Sequence, residues 1–137
     1  MSVNIAIHFL IADLADGAQA EAVEEAIDEL LEQESIDGDV AVYRHELAEG
    51  GWAVFGLSYS LIIMSRFWSW EPEFEESFVD CVGAIAPDAE VDLHMFDVDE
   101  EREQQEGAEA IRGQLISWLP DGEKAYFRAA LRSTTGS

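Results

Sequence analysis

Basic residues are scarce in this chain. One lysine and six arginines stand against thirty acidic residues among 137, and the formal charge is −23. A surface this negative repels nucleic acid and anionic membranes, and it attracts cationic surfaces. The composition therefore argues against direct nucleic-acid binding and against a role at a membrane, and it favours a basic macromolecular partner.

Cysteine and long hydrophobic runs are also nearly absent. Cys81 is the single cysteine, so no intramolecular disulfide can form, and a reducing cytoplasm is the expected compartment. Cys81 lies on the apolar face of a predicted helix, which favours a small core residue over a nucleophile. The chain begins without the basic stretch of a signal peptide, and its longest uncharged run, 50–65, is too short for a membrane span.

Apolar residues are plentiful enough to build a core despite the charge. The chain is 48% hydrophobic and 10% aromatic, which is too apolar for a disordered acidic tail. Its mass of 15.2 kDa suits one domain of ordinary size. The sequence therefore predicts a globular domain whose acidic residues lie on its surface.

The first part of the chain alternates between strand and helix patterns. β-branched residues predict a buried strand at 3–11. Asp16 and Gln19 form a capping-box pattern at the start of an amphipathic helix. Two further strands follow, at 39–47 and 51–63, and Glu49-Gly50 is predicted to join them as a tight hairpin.

The next part repeats a helix and a strand. A second helix is predicted to begin after Trp70, with Pro72 in its first turn, and a last strand covers 91–96. The resulting order, β-α-β-β-α-β, predicts an α+β fold with a ferredoxin-like antiparallel sheet over 1–98.

The remaining residues predict an extension of the same domain. Apolar residues at helical spacing indicate two more helices within 99–132, and 133–137 is expected to be a flexible end. A ferredoxin-like sheet leaves its second face open. We therefore expect the extension to pack on this face, or on the same face of a partner subunit.

The predicted hairpin also assigns side chains to the two sheet faces. A two-residue turn at Glu49-Gly50 pairs Leu47 with Trp52 and directs Leu57 and Tyr59 toward the helices. All three histidines then lie on the second face.

His8 and His94 are expected to lie on neighbouring strands, so their rings could approach each other. They are weak metal or acid–base candidates, because no metal-ligand spacing accompanies them. The sequence therefore predicts no catalytic residues, no metal and no cofactor. An enzyme or small-ligand binder that uses the open sheet face remains an alternative.

Acidic residues recur along both predicted helices. On a helix that rises ~1.5 Å per residue, such groups repeat about every 5–6 Å, which is similar to the spacing of phosphates along nucleic acid. Tryptophans next to the second group could anchor an interface. The predicted partner-binding residues are Glu21, Glu25, Asp28, Glu29, Glu32, Trp68, Trp70, Glu71, Glu73, Glu75 and Glu76.

These patterns favour a non-catalytic acidic binding or inhibitor protein that docks on a basic, nucleic-acid-handling protein. Immunity proteins against nuclease toxins and phage proteins that imitate nucleic acid share this charge and size, although no family motif is present. The alternative explanation of the charge is a halophile-type acidic housekeeping domain. A homodimer is also left open by the sequence.

Overall fold

The structure is a computed structural model, and it describes residues 3–58, 62–97 and 113–119. The sheet is antiparallel, and helices pack against it, so the predicted mixed α/β architecture is confirmed. The elements in chain order are β1 (Val3–Leu14), α1 (Gly17–Gln33), β2 (Val40–Glu46), β3 (Trp52–Ser58), β4 (Ile62–Met64), α2 (Phe67–Ile85) and β5 (Glu90–Asp97).

β1 is the central strand of the sheet. β5 pairs along one side of it, β3 and β4 pair along the other, and β2 lies outside β3. The order β2-β3-β1-β5, with both helices on one face, is the arrangement expected of a split β-α-β unit. The element order differs from the prediction because the expected strand 51–63 is divided into β3 and β4.

The division of that strand follows from its pairing with β1. His8 lies opposite Leu57 and Ile5 lies opposite Ile62. Three residue positions along β1 therefore correspond to five positions between β3 and β4. The two extra residues interrupt the ladder. Next to the interruption, the buried backbone N–H of Ile7 donates to the hydroxyl of Ser58 at 3.1 Å, which replaces a ladder hydrogen bond.

The main core lies between the helices and one face of the sheet. Ile5, Ile7, Phe9 and Ile11 of β1 are fully buried there, as the alternation of the strand predicts. From α1 and α2, the buried residues are Ala20, Val23, Ile27, Leu30, Leu31, Phe67, Phe74, Phe78 and Val82. Burying each large side chain stabilises the fold by about 1.5–3 kcal/mol.

Asp16 caps the start of α1 as predicted, but the reciprocal hydrogen bond of Gln19 involves the N–H of Ala15 instead of the N–H of Asp16. The backbone N–H of Gln19 donates to Oδ1 of Asp16 at 2.8 Å, and Oε1 of Gln19 accepts from the N–H of Ala15 at 2.7 Å. Nε2 of Gln19 also donates to the carbonyl oxygen of Ile85 at 3.3 Å. Gln19 therefore links the beginning of α1 to the end of α2.

The predicted hairpin register is wrong by one residue. Glu46 rather than Leu47 pairs with Trp52, because the loop is longer than the predicted two-residue turn. Gly50 and Gly51 both have positive φ, 96° and 85°, which glycine adopts readily. The N–H of Leu47 donates to the carbonyl of Gly51 at 3.0 Å and closes the loop.

A one-residue shift moves every side chain of a strand to the opposite face. Phe55 and Leu57 consequently lie on the second face of the sheet, so the prediction for Leu57 is wrong. Tyr59 lies outside the described residues. The second face is partly covered by residues 113–119, where Leu115, Ile116 and Leu119 pack with Phe55 and Leu57.

The predicted divisions at 1–98, 99–132 and 133–137 stay predictions, since 98–112 and 120–137 lie outside the described part of the chain.

α2 begins earlier than the sequence predicts. Its first residue is Phe67, and the N–H of Trp70 donates to the carbonyl of Arg66 at 2.9 Å. Phe67 is 2% exposed, and its burial favours an additional helical turn before Trp70. Pro72 therefore lies inside the helix, where it has no N–H to donate to the carbonyl of Trp68.

Candidate protein-binding surface

The acidic residues of α1 form a stripe on its solvent side. The side of α1 that faces the core is apolar, and the opposite side carries the predicted carboxylates. A helix of 17 residues is about 25 Å long, so the stripe runs along much of this side of the domain. The structure places all five predicted residues on the exposed side: Glu21, Glu25, Asp28, Glu29 and Glu32.

Arg44 of β2 lies at one border of this stripe. Its Nε is 3.4 Å from Oε2 of Glu24, and Nη1 is 4.0 Å from Oε2 of Glu21. Neither Arg44 nor Glu24 was among the predicted partner-binding residues. Their contact joins two elements that are distant in sequence. The sequence signal that pointed to Glu24 is its position one helical turn after Glu21, on the same side of α1.

Burial and like-charge repulsion both act on carboxyl groups of α1. Burial raises the pKa of Glu24, and Asp28, Glu21 and Glu25 raise it further, although Arg44 acts in the opposite direction. Burial also raises the pKa of Asp28, with a further contribution from Asp37. The two raised pKa values show that ionisation of these carboxyls is less favourable in the folded domain than in a free side chain.

Asp28→Asn should therefore stabilise the domain at neutral pH by a few tenths of a kcal/mol. A raised pKa in the folded state means that the folded form binds protons more tightly, so ionisation of Asp28 destabilises the fold above its folded pKa. The stability difference between variant and wild type should shrink as the pH falls, because protonation of wild-type Asp28 removes the unfavourable charge. Urea unfolding of both proteins at several pH values measures this difference.

Glu49→Gln is the matched control, because it removes an exposed charge from the hairpin loop and not from the solvent side of α1. This variant should unfold at nearly the same urea concentration as wild type at pH 7. The interpretation is wrong if Asp28→Asn is less stable than wild type at pH 7, or if the difference between them grows on acidification.

α2 contributes a second acidic group to the same helical layer. Glu73, Glu75 and Glu76 are exposed, as is the neighbouring Asp80, whereas Glu71 is half-buried. α1 and α2 pack side by side over one face of the sheet. Five exposed carboxylates on α1 and four on α2 therefore share one side of the molecule.

The two predicted tryptophan anchors have different environments. Trp68 is 60% exposed. Trp70 is half-buried, stacks on Phe74 at 4.6 Å between ring centroids, and donates its indole N–H to Oε2 of Glu34 at 2.8 Å. Glu34 follows the last residue of α1, so Trp70 links the two helices. Of the predicted pair, Trp68 is the one with a large exposed surface.

The histidine side chains lie on the second face of the sheet, on the side away from the two helices. His8 is fully buried and pairs across the strands with His94, with 5.1 Å between ring centroids, so the predicted approach of these rings is confirmed. His45 stacks on Trp118, with centroids 4.5 Å apart and planes 7° apart. Residues 3–58, 62–97 and 113–119 contain no group of three or more His, Cys, Asp or Glu side chains placed to hold a metal ion.

Cys81 is half-buried near the contact between the helices. Burial raises the pKa of its thiol, and Glu29 raises it further. A raised pKa lowers the fraction of reactive thiolate at neutral pH. The environment of Cys81 therefore suits a packing residue better than a nucleophile.

No protein-family model and no curated protein matches the chain. A de novo designed protein is similar in structure, with 15% identity, a TM-score of 0.44, and coverage of 72% of this chain and 99% of that chain. A conserved protein of unknown function from Bacteroides thetaiotaomicron, described as a possible oxidoreductase, has 17% identity, a TM-score of 0.39, and coverage of 69% and 97%. A dimeric ferredoxin-like protein from an uncultured marine organism has 13% identity, a TM-score of 0.42, and coverage of 72% and 98%.

These values are too low to assign a family or a function to the chain. Within the described residues, no helix is long and apolar enough to cross a membrane.

Proposed function

We propose that this protein is a non-catalytic acidic binding protein that docks on a basic, nucleic-acid-handling protein and occupies its phosphate-binding surface. The observation that carries the proposal is the layer formed by α1 and α2, whose outer side presents nine exposed carboxylates, five from α1 and four from α2. A surface of this kind can occupy the arginine and lysine side chains that otherwise bind phosphates.

The distribution of charge along the sequence supports this proposal. Residues 1–97 contain 22 of the 30 acidic residues but only two of the seven basic ones, Arg44 and Arg66. Arg44 lies at the border of the α1 stripe, and Arg66 directly precedes α2. The solvent side of α1 and α2 itself carries no basic residue, because neither helical segment contains Lys or Arg.

The docking mechanism requires no chemical step. The carboxylates steer a cationic partner toward the helical layer, and this long-range attraction raises the association rate. Short-range contacts then determine how long the complex persists, because affinity differences between related complexes arise mainly in dissociation. An inhibitor of this kind competes with nucleic acid for the same basic surface.

A salt-dependent competition experiment tests the proposal. Immobilised protein is incubated with host lysate at low salt, and bound proteins are eluted with a salt gradient or with duplex DNA. We expect basic, nucleic-acid-binding proteins to be retained, to elute at moderate salt, and to be displaced by DNA. Affinity should fall steeply with salt, because screening weakens contacts between exposed charges.

The alternatives give different results in the same experiment. Retention that does not depend on salt, or bound protein that DNA fails to displace, contradicts the proposal. A halophile-type housekeeping domain would retain no such partner and would unfold at low salt, because its surface carboxylates would then repel each other without screening.

A further inference from the structure

Trp68 is an aromatic side chain that contacts the core through Phe67 and exposes most of its surface. Its indole packs edge-on against Phe67, with 4.9 Å between ring centroids, and Phe67 is 2% exposed within the core. This contact holds one edge of the indole in place, while 60% of the residue remains exposed. An exposed tryptophan that is already ordered loses little conformational entropy when a ligand binds to it.

The same flank of α2 continues with acidic and apolar side chains. Glu75 and Val79 lie seven and eleven residues after Trp68, which places them two and three helical turns further along one side. Glu75 is exposed, and Val79 is 45% exposed. Glu71 is half-buried and lies between Trp68 and Glu75 on this flank.

Pro72 interrupts the helical hydrogen bonding beside this flank. Because proline has no N–H, it cannot form the hydrogen bond that residue 72 of a regular helix would donate to the carbonyl of Trp68. The flank itself combines an aromatic ring with carboxylates. These are the groups that surround a guanidinium ion in proteins.

We propose that this flank of α2, defined by Trp68, Glu71, Glu75 and Val79, binds an arginine side chain of the partner. The guanidinium stacks on the indole and donates hydrogen bonds to the carboxylates. Arginine suits this surface better than lysine, since its planar, weakly hydrated head can stack and form paired hydrogen bonds at once. The inference rests on the proposed function and specifies which basic residue the partner presents.

Charge complementarity selects this occupant over a second copy of the chain. Two copies that meet through this flank would bring Glu75 and its neighbours together, and like charges repel in such a contact. A cationic partner is instead attracted by the same carboxylates.

Binding of labelled oligo-arginine and oligo-lysine peptides of equal length tests the inference. Fluorescence anisotropy at low salt gives both affinities for wild type, for Trp68→Ala and for Ile63→Ala. Ile63 is the matched control, because it is 73% exposed but belongs to β4 rather than to α2. We expect wild type to bind the arginine peptide about twofold to fivefold more tightly than the lysine peptide, as an exposed cation–π contact allows.

The preference for arginine should disappear in Trp68→Ala and persist in Ile63→Ala. Trp68→Phe should retain part of it, because phenylalanine keeps an aromatic face, and circular dichroism confirms that each variant is folded. Equal binding of both peptides by wild type, or an unchanged preference in Trp68→Ala, overturns the arginine inference but leaves acidic docking intact. A wild-type protein that binds neither peptide at low salt contradicts the proposed function itself. Loss of a dimer in Trp68→Ala, seen by size-exclusion chromatography, would make the flank a self-interface and also overturn the inference.

Discussion

Gly56→Ala should destabilise the protein strongly, because no room exists for a side chain at this position. A Cβ atom at Gly56 would lie 2.3 and 2.4 Å from two ring carbons of Phe9, and 3.2 Å from the backbone oxygen of Ala41. Phe9 lies directly opposite Gly56 in the sheet and is fully buried. Its ring packs against Phe78 at 4.9 Å between centroids, so it cannot move without disturbing α2.

The expected loss is about 1–3 kcal/mol, which is the usual effect of overpacking a well-filled core. Gly83→Ala is the matched control, since it makes the same substitution inside α2, where a new Cβ would meet no atom within 4 Å. That variant should be as stable as wild type or more stable by up to about 1 kcal/mol, because alanine favours the helix. Urea unfolding measures both changes.

A double variant tests the assigned cause. Phe9→Leu shortens the side chain above Gly56, so Gly56→Ala should cost less in the Phe9→Leu background than in wild type. Equal costs in the two backgrounds, or equal stability of Gly56→Ala and Gly83→Ala, would show that the Phe9 ring does not constrain position 56.

Local sequence patterns were sufficient to predict the elements near α1. Asp16 and Gln19 are close in sequence, and their hydrogen bonds form within a single turn of chain, so the cap was visible before the structure. The alternation in β1 likewise assigned Ile5, Ile7, Phe9 and Ile11 to the core. The cap of α1 and the alternation of β1 both involve residues that are close in sequence, so a local pattern is enough to predict them.

The hairpin register and the start of α2 depend on other interactions. Both Gly50 and Gly51 have positive φ, and a glycine pair in the sequence permits several loop lengths, so the register could not be fixed. The first turn of α2 is stabilised by the burial of Phe67 and by the hydrogen bond from Trp70 to Glu34, 36 residues earlier. Neither contact is visible in a local pattern.

The candidate surface could also be predicted only in part from the sequence. Helical periodicity placed the five α1 carboxylates on one exposed side, since that side is set by the apolar stripe opposite. Periodicity could not separate the exposed Trp68 from the half-buried Trp70, which differ in tertiary contacts. The ion pair of Arg44 with Glu24 was also not predictable, since it joins β2 to α1.

Neutralising the α1 stripe should slow association with a basic partner by about tenfold or more, which is the usual range of electrostatic steering. One variant replaces the stripe residues with their amides: Glu21, Glu25, Asp28, Glu29 and Glu32. A control variant replaces five exposed acidic residues outside the helices: Asp13, Glu46, Glu49, Asp88 and Glu90. Each variant loses five negative charges, which changes the formal charge from −23 to −18.

Stopped-flow association with the oligo-arginine peptide, or with a captured partner, compares the two variants at equal net charge. The stripe variant should associate more slowly than the control, while dissociation should change less in both. If the two variants associate at the same rate at every salt concentration, total charge alone drives the encounter, and the helical layer has no special role.

The salt dependence of this difference separates local charge from total charge. At ~0.01 M salt the Debye length is about 30 Å, comparable to the size of the domain, so a partner experiences nearly all of its charges and the control substitutions should also slow association. At ~0.15 M salt the Debye length is about 8 Å, so only charges close to the docking surface act on the partner. Relative to wild type, both variants should therefore lose less rate as salt increases, but the effect of the control substitutions should vanish first, so the ratio of the stripe effect to the control effect should rise. A rising ratio requires that the partner approach the α1 side of the molecule, which is the geometric claim on which the proposed function depends.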